Sequence, residues 1–143
     1  MGAVFADAGY WIALLNPRDR LHNVARTIAA DPALDLIVTT QMVLTETLNL
    51  VGSIGPDHRQ RASDLAHALA QSPDVEVVPQ TPGQFEAALE LYRSRGDQSW
   101  SLTDCASFLV MRERQITVAL AHDRDFEQAG FTALMRNTDP TAG

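Results

Sequence analysis

Short apolar runs alternate along the chain with segments in which apolar residues recur every three or four positions. The short runs predict buried strands at residues 3–6, 36–38, 75–78 and 117–121, with a further edge strand at 131–135. The periodic segments predict helices over residues 10–15, 22–30, 41–51, 57–71, from 82 onward and from 101 to 111. This alternation predicts an α/β fold, a three-layer α/β/α sandwich whose central, mostly parallel sheet has four or five strands.

One predicted helix begins at Thr81-Pro82 and carries a regular apolar stripe. Its members are Phe85, Ala88, Leu89 and Tyr92, and their spacing predicts that this face packs on the core. The helices and strands form one predicted domain over residues 1–136, because the length suits a single core and no second hydrophobic pattern follows. Residues 137–143 are predicted to be a flexible tail.

Carboxylates stand where the predicted strands end and where two predicted helices begin. Asp7 follows the first strand and Asp123 follows the fourth, so both should lie at the carboxyl edge of the sheet, where open α/β sheets bind ligands. Asp104 lies three residues after Ser101, and this spacing also fits a helix capping box. Asp7 equally fits a helix N-cap. A local structural role and a ligand role therefore remain open for both acids.

Glu46 is the carboxylate whose surroundings argue most directly for function. On its predicted helix, Met42 and Leu50 lie four residues away and Val43 three residues before it, so the acid projects from an apolar stripe. Burial of a lone carboxylate costs several kcal/mol, so the group must be protonated, paired or bound to a cation.

Four such acids brought together predict a divalent metal site. Clustered carboxylates repel one another unless protons or cations compensate, and oxygen ligands select Mg²⁺ or Mn²⁺. No Cys and His spacing in the sequence suggests a competing zinc site. Acid-held cations of this kind commonly serve phosphodiester hydrolysis by water.

Composition changes this picture only slightly. The 143 residues are 45% hydrophobic with a formal charge of −7, which argues weakly against nucleic-acid binding. That argument loses force because a cation site would itself contribute several of the negative charges. The single Cys105 excludes an internal disulfide and suits a reducing cytoplasm, and no apolar run is long enough to span a membrane.

Four segments together resemble the PIN-domain family, most closely its VapC-type ribonuclease toxins. They read F-A-D-A-G-Y-W-I-A-L-L-N, T-E-T-L-N, W-S-L-T-D-C-A-S-F and A-H-D-R-D-F-E-Q-A-G-F, and the resemblance extends over nearly the whole chain. The resemblance implies that Asp7, Glu46, Asp104 and Asp123 hold Mg²⁺ or Mn²⁺ in an endoribonuclease for single-stranded RNA. It also implies a cognate antitoxin and a homodimer. The residue pattern alone does not indicate RNA.

The sequence departs from the family pattern at two places. Ala8 and Gly9 follow the first acid where many members carry Thr or Ser, and Ala121 stands where many carry Thr. Hydroxyls there would orient metal ligands, and loss of such partners lowers affinity or activity by about 10–100-fold in measured sites. Two hypotheses follow: an active ribonuclease, or a catalytically weakened PIN-like module that binds RNA or protein.

Several residues near the four acids are weaker candidates. Thr103 and Asp125 could orient a ligand or hold a second cation, although a helix cap is favoured for Asp125. His122 could relay protons, but alternation along a strand predicts that it points away from Asp123. Trp100 is more typical of core packing than of base stacking. Phosphate contacts are predicted among four arginines, namely Arg93, Arg95, Arg112 and Arg124.

Two other phosphoryl-transfer families also place an acid at a strand end. A haloacid-dehalogenase-like phosphatase needs a second Asp two residues after the first, where Gly9 stands. A phosphoacceptor receiver domain needs a Lys, and this chain has none. Both alternatives are therefore disfavoured.

Overall fold

The computed structural model describes residues 2–139 as a five-stranded sheet in which every strand pair is parallel. The sheet order is β3-β2-β1-β4-β5. The strands are β1 Val4–Ala6, β2 Ile37–Thr40, β3 Val75–Val78, β4 Val118–Leu120 and β5 Thr132–Ala133. The predicted α/β sandwich with a parallel sheet of four or five strands is confirmed.

Eight helices connect and cover the strands in the described part of the chain. They are α1 Ala8–Leu15, α2 His22–Ala29, α3 Gln41–Gly52, α4 Pro56–Gln71, α5 Pro82–Ser94, α6 Leu102–Glu113, α7 Arg124–Gln128 and α8 Leu134–Thr138. Helix α3 packs against α1 and α4, whereas α6 packs against α5 and α7. None of the helices within residues 2–139 is both long and apolar enough to cross a membrane.

The central strand β1 lies between β2 and β4, and its three residues are fully buried. Phe5 is in register with Val38 on one side and Ala119 on the other. Just beyond the strand, the Asp7 amide donates a hydrogen bond of 3.2 Å to the Leu120 carbonyl at the end of β4. This contact places the residues that follow β1 and β4 side by side.

The apolar stripe predicted for α5 does not pack on the core as expected. Ala88 is fully buried, but Phe85, Leu89 and Tyr92 are 40%, 37% and 52% exposed. The small Ala88 side chain lies where α5 meets the rest of the protein, and the larger side chains of the stripe remain largely accessible. Periodicity identified an amphipathic helix but could not show whether its own chain covers the apolar face.

The C-terminal boundary also differs from the sequence prediction. The predicted edge strand at 131–135 is limited to β5, and α8 follows it at once. Residues 137–139, assigned to the flexible tail by the sequence, are part of the fold: Asn137 and Thr138 belong to α8, and Asp139 is buried. The remaining residues of that predicted tail, 140–143, lie outside the described residues.

Candidate metal centre

A cavity of about 390 Å³ at the carboxyl edge of the sheet brings the four predicted acids together. Its walls come from the residues that follow β1 and β4, from the beginnings of α1, α6 and α7, and from the middle of α3. It is lined by Asp7, Ala8, Gly9, Ile12, Glu46, Ser99, Ser101, Asp104, His122, Asp123 and Asp125. The fold therefore collects acids that are separated by up to 116 positions in the sequence, counted from Asp7 to Asp123.

Asp7 occupies the N-cap position of α1, but its carboxylate makes no capping hydrogen bond. The N-cap interpretation is thus correct for the backbone and does not account for the side chain. The pKa of Asp7 is raised to about 8, mainly by burial and also by the negative charges of Asp104, Glu46 and Asp123, against an opposing hydrogen bond from the Ala8 amide. A carboxyl group in these surroundings needs a proton or a cation near neutral pH.

Asp104 performs the capping role that the sequence left open, and it also lines the acidic cavity. Its amide donates to the Ser101 hydroxyl at 3.0 Å, while the Ser101 amide donates to its Oδ2 at 3.1 Å. This reciprocal capping box fixes the carboxylate at the start of α6. Burial raises the pKa of Asp104 to about 6, opposed by the hydrogen bonds from Ser101 and assisted by the charges of Asp123 and Asp125.

Asp123 and Asp125 complete a tight group with Asp104. One carboxylate oxygen from each of the three lies within 4.8 Å of the other two. Asp123 is the N-cap of α7, and its Oδ1 accepts the Asp125 amide at 2.9 Å. The cap favoured for Asp125 was therefore assigned to the wrong residue, because Asp123 caps the helix and Asp125 faces the acids. Burial raises the pKa of Asp125, as does the Asp123 charge.

Glu46 lies on α3 and is partly buried at the border of the cavity. Neither Glu46 nor Asp7 belongs to the tight group of Asp104, Asp123 and Asp125. The charge of Glu46 nevertheless raises the pKa of Asp7. Glu46 also lines a second groove on its other side. Its position therefore joins the acidic cavity to the neighbouring surface.

His122 lies on the cavity wall, contrary to the prediction that it points away. Strand β4 ends at Leu120, so the alternation of a strand does not extend to residue 122. Its Nε2 lies 2.9 Å from Oδ2 of Asp139, which also accepts from Arg20 at 2.7 Å. Sequence reasoning missed Asp139, since no motif links a residue in the assumed tail to the site.

The predicted arginines are not all close to the cavity. Arg124 is exposed in the first turn of α7, directly after Asp123. Arg95 forms two hydrogen bonds with Asp97 and lies over the ring of Trp100, which is buried as the core interpretation predicted. Arg112 is in the last turn of α6, roughly 12 Å along the helix from Asp104 at 1.5 Å per residue.

The two remaining candidates, Arg93 and Thr103, do not line the acidic cavity. Arg93 is exposed and lies 3.9 Å from Glu90. Thr103 lines the second groove and is absent from the lining of the acidic cavity. Neither residue joins the cluster of acids.

The positions that depart from the family pattern leave the cluster intact. Ala8 and Ala121 are buried, and Gly9 has open space where a side chain would extend. The cavity instead contains the hydroxyl groups of Ser99 and Ser101. The acids therefore converge without the hydroxyls expected at positions 8, 9 and 121.

These donors fit a hard divalent cation. The group is built from carboxylate oxygens, the ligands that Mg²⁺ and Mn²⁺ prefer. The raised pKa values of Asp7 and Asp104 mean that their charged forms are unfavourable in the cavity, and a bound cation would compensate that charge. Asp7, Glu46, Asp104, Asp123 and Asp125 could supply the ligands.

A parallel sheet with acids gathered at its carboxyl edge is the arrangement expected of a PIN domain. The PIN domain profile matches residues 4–132, and the chain belongs to this family.

Among curated proteins, the chain is similar to the 23S rRNA-specific endonuclease VapC20 from two strains of Mycobacterium tuberculosis. Each VapC20 sequence is 34% identical to this chain over 128 residues, which cover 90% of this chain and 95% of VapC20. The crystal structure of Mycobacterium tuberculosis VapC20, described as a Sarcin-Ricin loop cleaving toxin, matches this fold with a TM-score of 0.79. That alignment has 33% identity and covers 91% of this chain and 97% of VapC20.

Proposed function

We propose that this protein is a divalent-cation-dependent endoribonuclease and the cytoplasmic toxin of a VapBC-type toxin–antitoxin pair. The observation that carries the proposal is the convergence of Asp7, Glu46, Asp104 and Asp123 in one cavity of a PIN domain. The similarity to a 23S rRNA-specific endonuclease supports RNA as the substrate.

In this proposal the four acids hold Mg²⁺ or Mn²⁺, with Asp125 as a further ligand. The cation supplies Lewis-acid activation of water and neutralises charge on the leaving oxygen. The Ser101 capping box holds Asp104 in a fixed orientation, and Arg124 contacts a phosphate of the RNA strand. In the alternative to this ligation, Glu46 serves instead as the base that accepts the proton of the attacking water. In-line attack by water leaves a 5′-phosphate and a 3′-hydroxyl.

The proposed substrate is a single-stranded loop of ribosomal RNA. VapC20 is named for its action on 23S rRNA, so this RNA is the first substrate to test. Unpaired loops expose base edges and phosphates together, which suits an open site at the edge of a sheet.

The decisive experiment incubates purified protein with 23S rRNA and with short single-stranded RNAs, in Mg²⁺, in Mn²⁺ or in EDTA. We expect cleavage with either cation and none in EDTA. Asp104→Asn should lower the cleavage rate by more than about 100-fold, beyond the range for groups that only orient ligands. Asp97→Asn is the matched control, because Asp97 lies in an exposed loop and should leave the rate unchanged.

Two results would contradict the proposal. RNA that stays intact with both the wild type and Asp104→Asn would exclude the nuclease hypothesis. It would favour the catalytically weakened binding module that the residues at positions 8, 9 and 121 suggest. Products ending in 2′,3′-cyclic phosphate would exclude attack by water, since such ends require attack by the ribose hydroxyl.

Protein partners are the second part of the proposal. The exposed apolar face of α5, formed by Phe85, Leu89 and Tyr92, supports a homodimer, because large apolar groups that recur on one helix face usually have a partner. A cognate antitoxin is proposed from the similarity to a VapC toxin. Co-purification with the product of an adjacent small gene tests that part.

A further inference from the structure

A second groove of about 440 Å³ runs alongside the acidic cavity. The two share Glu46 and Ser101, so a strand lying over the acids continues into this groove. One wall is α3, and the other is formed by the start of α6 and by Gln80, which follows β3. It is lined by Met42, Thr45, Glu46, Asn49, Leu50, Gln80, Ser101 and Thr103.

The chemistry of this groove differs from that of the acidic cavity. Its lining contains no Lys or Arg, and Glu46 at the shared border is its only charged residue. Met42 and Leu50 supply apolar surface, and half of the Leu50 side chain is exposed. A phosphate would find no cation there, whereas a neutral planar group could lie against the apolar side chains.

Two side-chain amides in the groove have no assigned task. Within residues 2–139, the side-chain amide groups of Asn49 and Gln80 make no hydrogen bond to another residue. The backbone of Gln80 is nevertheless held in place, because its amide donates to Oε1 of Gln41 at 2.7 Å. Each free amide offers both a donor and an acceptor, the combination that reads the edge of a base.

We propose that this groove binds the base of a nucleotide next to the scissile phosphate, and that Asn49 and Gln80 select that base. The inference rests on the proposed ribonuclease function and adds a source of sequence preference to it. A base fits better than a phosphate because the groove is uncharged apart from its border. The position of the groove supports the same occupant, because the groove and the acidic cavity share Glu46 and Ser101. A phosphate bound over the acids would place the adjacent nucleotide at these two residues.

A binding experiment tests the site without any need for cleavage. The side-chain amide signals of Asn49 and Gln80 are followed by NMR while adenosine, guanosine, cytidine or uridine is added to the wild-type protein. We expect both signals to shift with at least one nucleoside and neither to shift with inorganic phosphate. No shift with any of the four nucleosides, or a shift with phosphate alone, would overturn the proposal.

Cleavage of an RNA pool with randomised loops provides the second test. Asn49→Ala and Gln80→Ala should each reduce the base preference at one position beside the cut by about tenfold. Gln71→Ala is the control, because Gln71 is an exposed amide at the end of α4, away from both cavities. Unchanged preference in both variants would assign the groove to another occupant, such as a segment of a protein partner.

These experiments separate the two proposals. Failure of the ribonuclease proposal appears as RNA that stays intact with wild-type protein, whatever the NMR signals show. Failure of the base site appears as cleavage that proceeds normally and does not depend on Asn49 or Gln80.

Discussion

Residues of one type carry out different tasks in this site because their backbone positions differ. Asp104 accepts a hydrogen bond from Ser101 and is held by it, whereas Asp7 makes no capping hydrogen bond. Burial raises the pKa of both carboxyls, to about 6 and about 8. Asp7 has the larger shift in pKa, so the free energy of folding should depend on pH mainly through Asp7.

Replacement of Asp7 should stabilise the cation-free protein at high pH. The folded-state pKa of about 8 lies above the ordinary value of 3.8, so the folded state binds the proton more tightly. Stability contributed by this group is complete below pH 4 and is lost as pH rises through 8. In EDTA at pH 8, Asp7→Asn should raise the free energy of unfolding by on the order of 2–4 kcal/mol, with little gain at pH 4.

Urea unfolding in EDTA across pH 4 to 8 measures this effect. Asp35→Asn serves as the control, since Asp35 is an exposed acid of a connecting segment. Added Mg²⁺ should stabilise the wild type at pH 8 more than the Asp7→Asn variant. Wild type and Asp7→Asn with the same pH dependence would show that Asp7 is not held in an unfavourable charged state.

At the scale of elements, the start of α6 is the feature that joins folding to the site. Ser101 and Asp104 cap the helix reciprocally, while Cys105, Ala106 and Phe108 of the same helix are fully buried. The core therefore fixes the axis of α6, and the capping box fixes the carboxylate at its end. Helix α5 also begins with a capping side chain, that of Thr81, but it carries no acid of the site.

This contrast gives a matched pair of substitutions. Ser101→Ala and Thr81→Ala should each lower the free energy of unfolding by about 1 kcal/mol, because each removes an N-cap hydrogen bond. Only Ser101→Ala should also slow RNA cleavage, since only its partner is an acid of the site. Denaturant unfolding and initial cleavage rates are measured on both variants. Equal rates in the two would show that the capping box does not position Asp104 for the reaction.

The elements were also the level at which the sequence was most informative. Asp7, Glu46, Asp104 and Asp123 could be placed in one cavity, because strand ends and apolar helix faces are local patterns. The exposure of Phe85, Leu89 and Tyr92 could not be predicted, since it depends on which helix faces meet across the molecule. For Asp125 the sequence offered both a cap and a cation ligand and favoured the cap, because either of two neighbouring acids could have capped α7.

At the scale of the whole molecule, Asp139 links the end of the described chain to Arg20 in its N-terminal part. Its carboxylate is 3% exposed and contacts both Arg20, between α1 and α2, and His122 on the wall of the acidic cavity. Such a contact spans 119 positions in sequence and could not be inferred from a local pattern. It connects the last described residue to the functional site.

Loss of this connection should destabilise the fold. Asp139→Ala should lower the free energy of unfolding by about 1–3 kcal/mol, because it removes the buried carboxylate that contacts Arg20 and His122. Asp97→Ala removes the partner of Arg95 in an ion pair whose Asp97 side chain is 63% exposed, and it should lower the free energy of unfolding much less. Urea unfolding compares the two. Similar small losses would show that Asp139 does not secure the C-terminal segment.

The proposed dimer is tested by a charge on the exposed face of α5. Leu89→Glu should convert a dimer into a monomer in sedimentation equilibrium, because it places a carboxylate among apolar side chains at the proposed interface. Ala68→Glu, on the exposed side of α4, is the control and should leave the dimer unchanged. A wild-type protein that remains monomeric at all concentrations would contradict the assignment of this face.

The order of the strands determines when the acidic cavity comes into existence during synthesis. β4 lies next to the central β1 but is made after β2 and β3, and Asp123 follows it. A growing chain therefore carries Asp7 and Glu46 before it carries the acids that complete the cluster. If ribosomal RNA is the substrate, the ribosome that makes this protein is not exposed to a finished cutting site until β4 and Asp123 have been made.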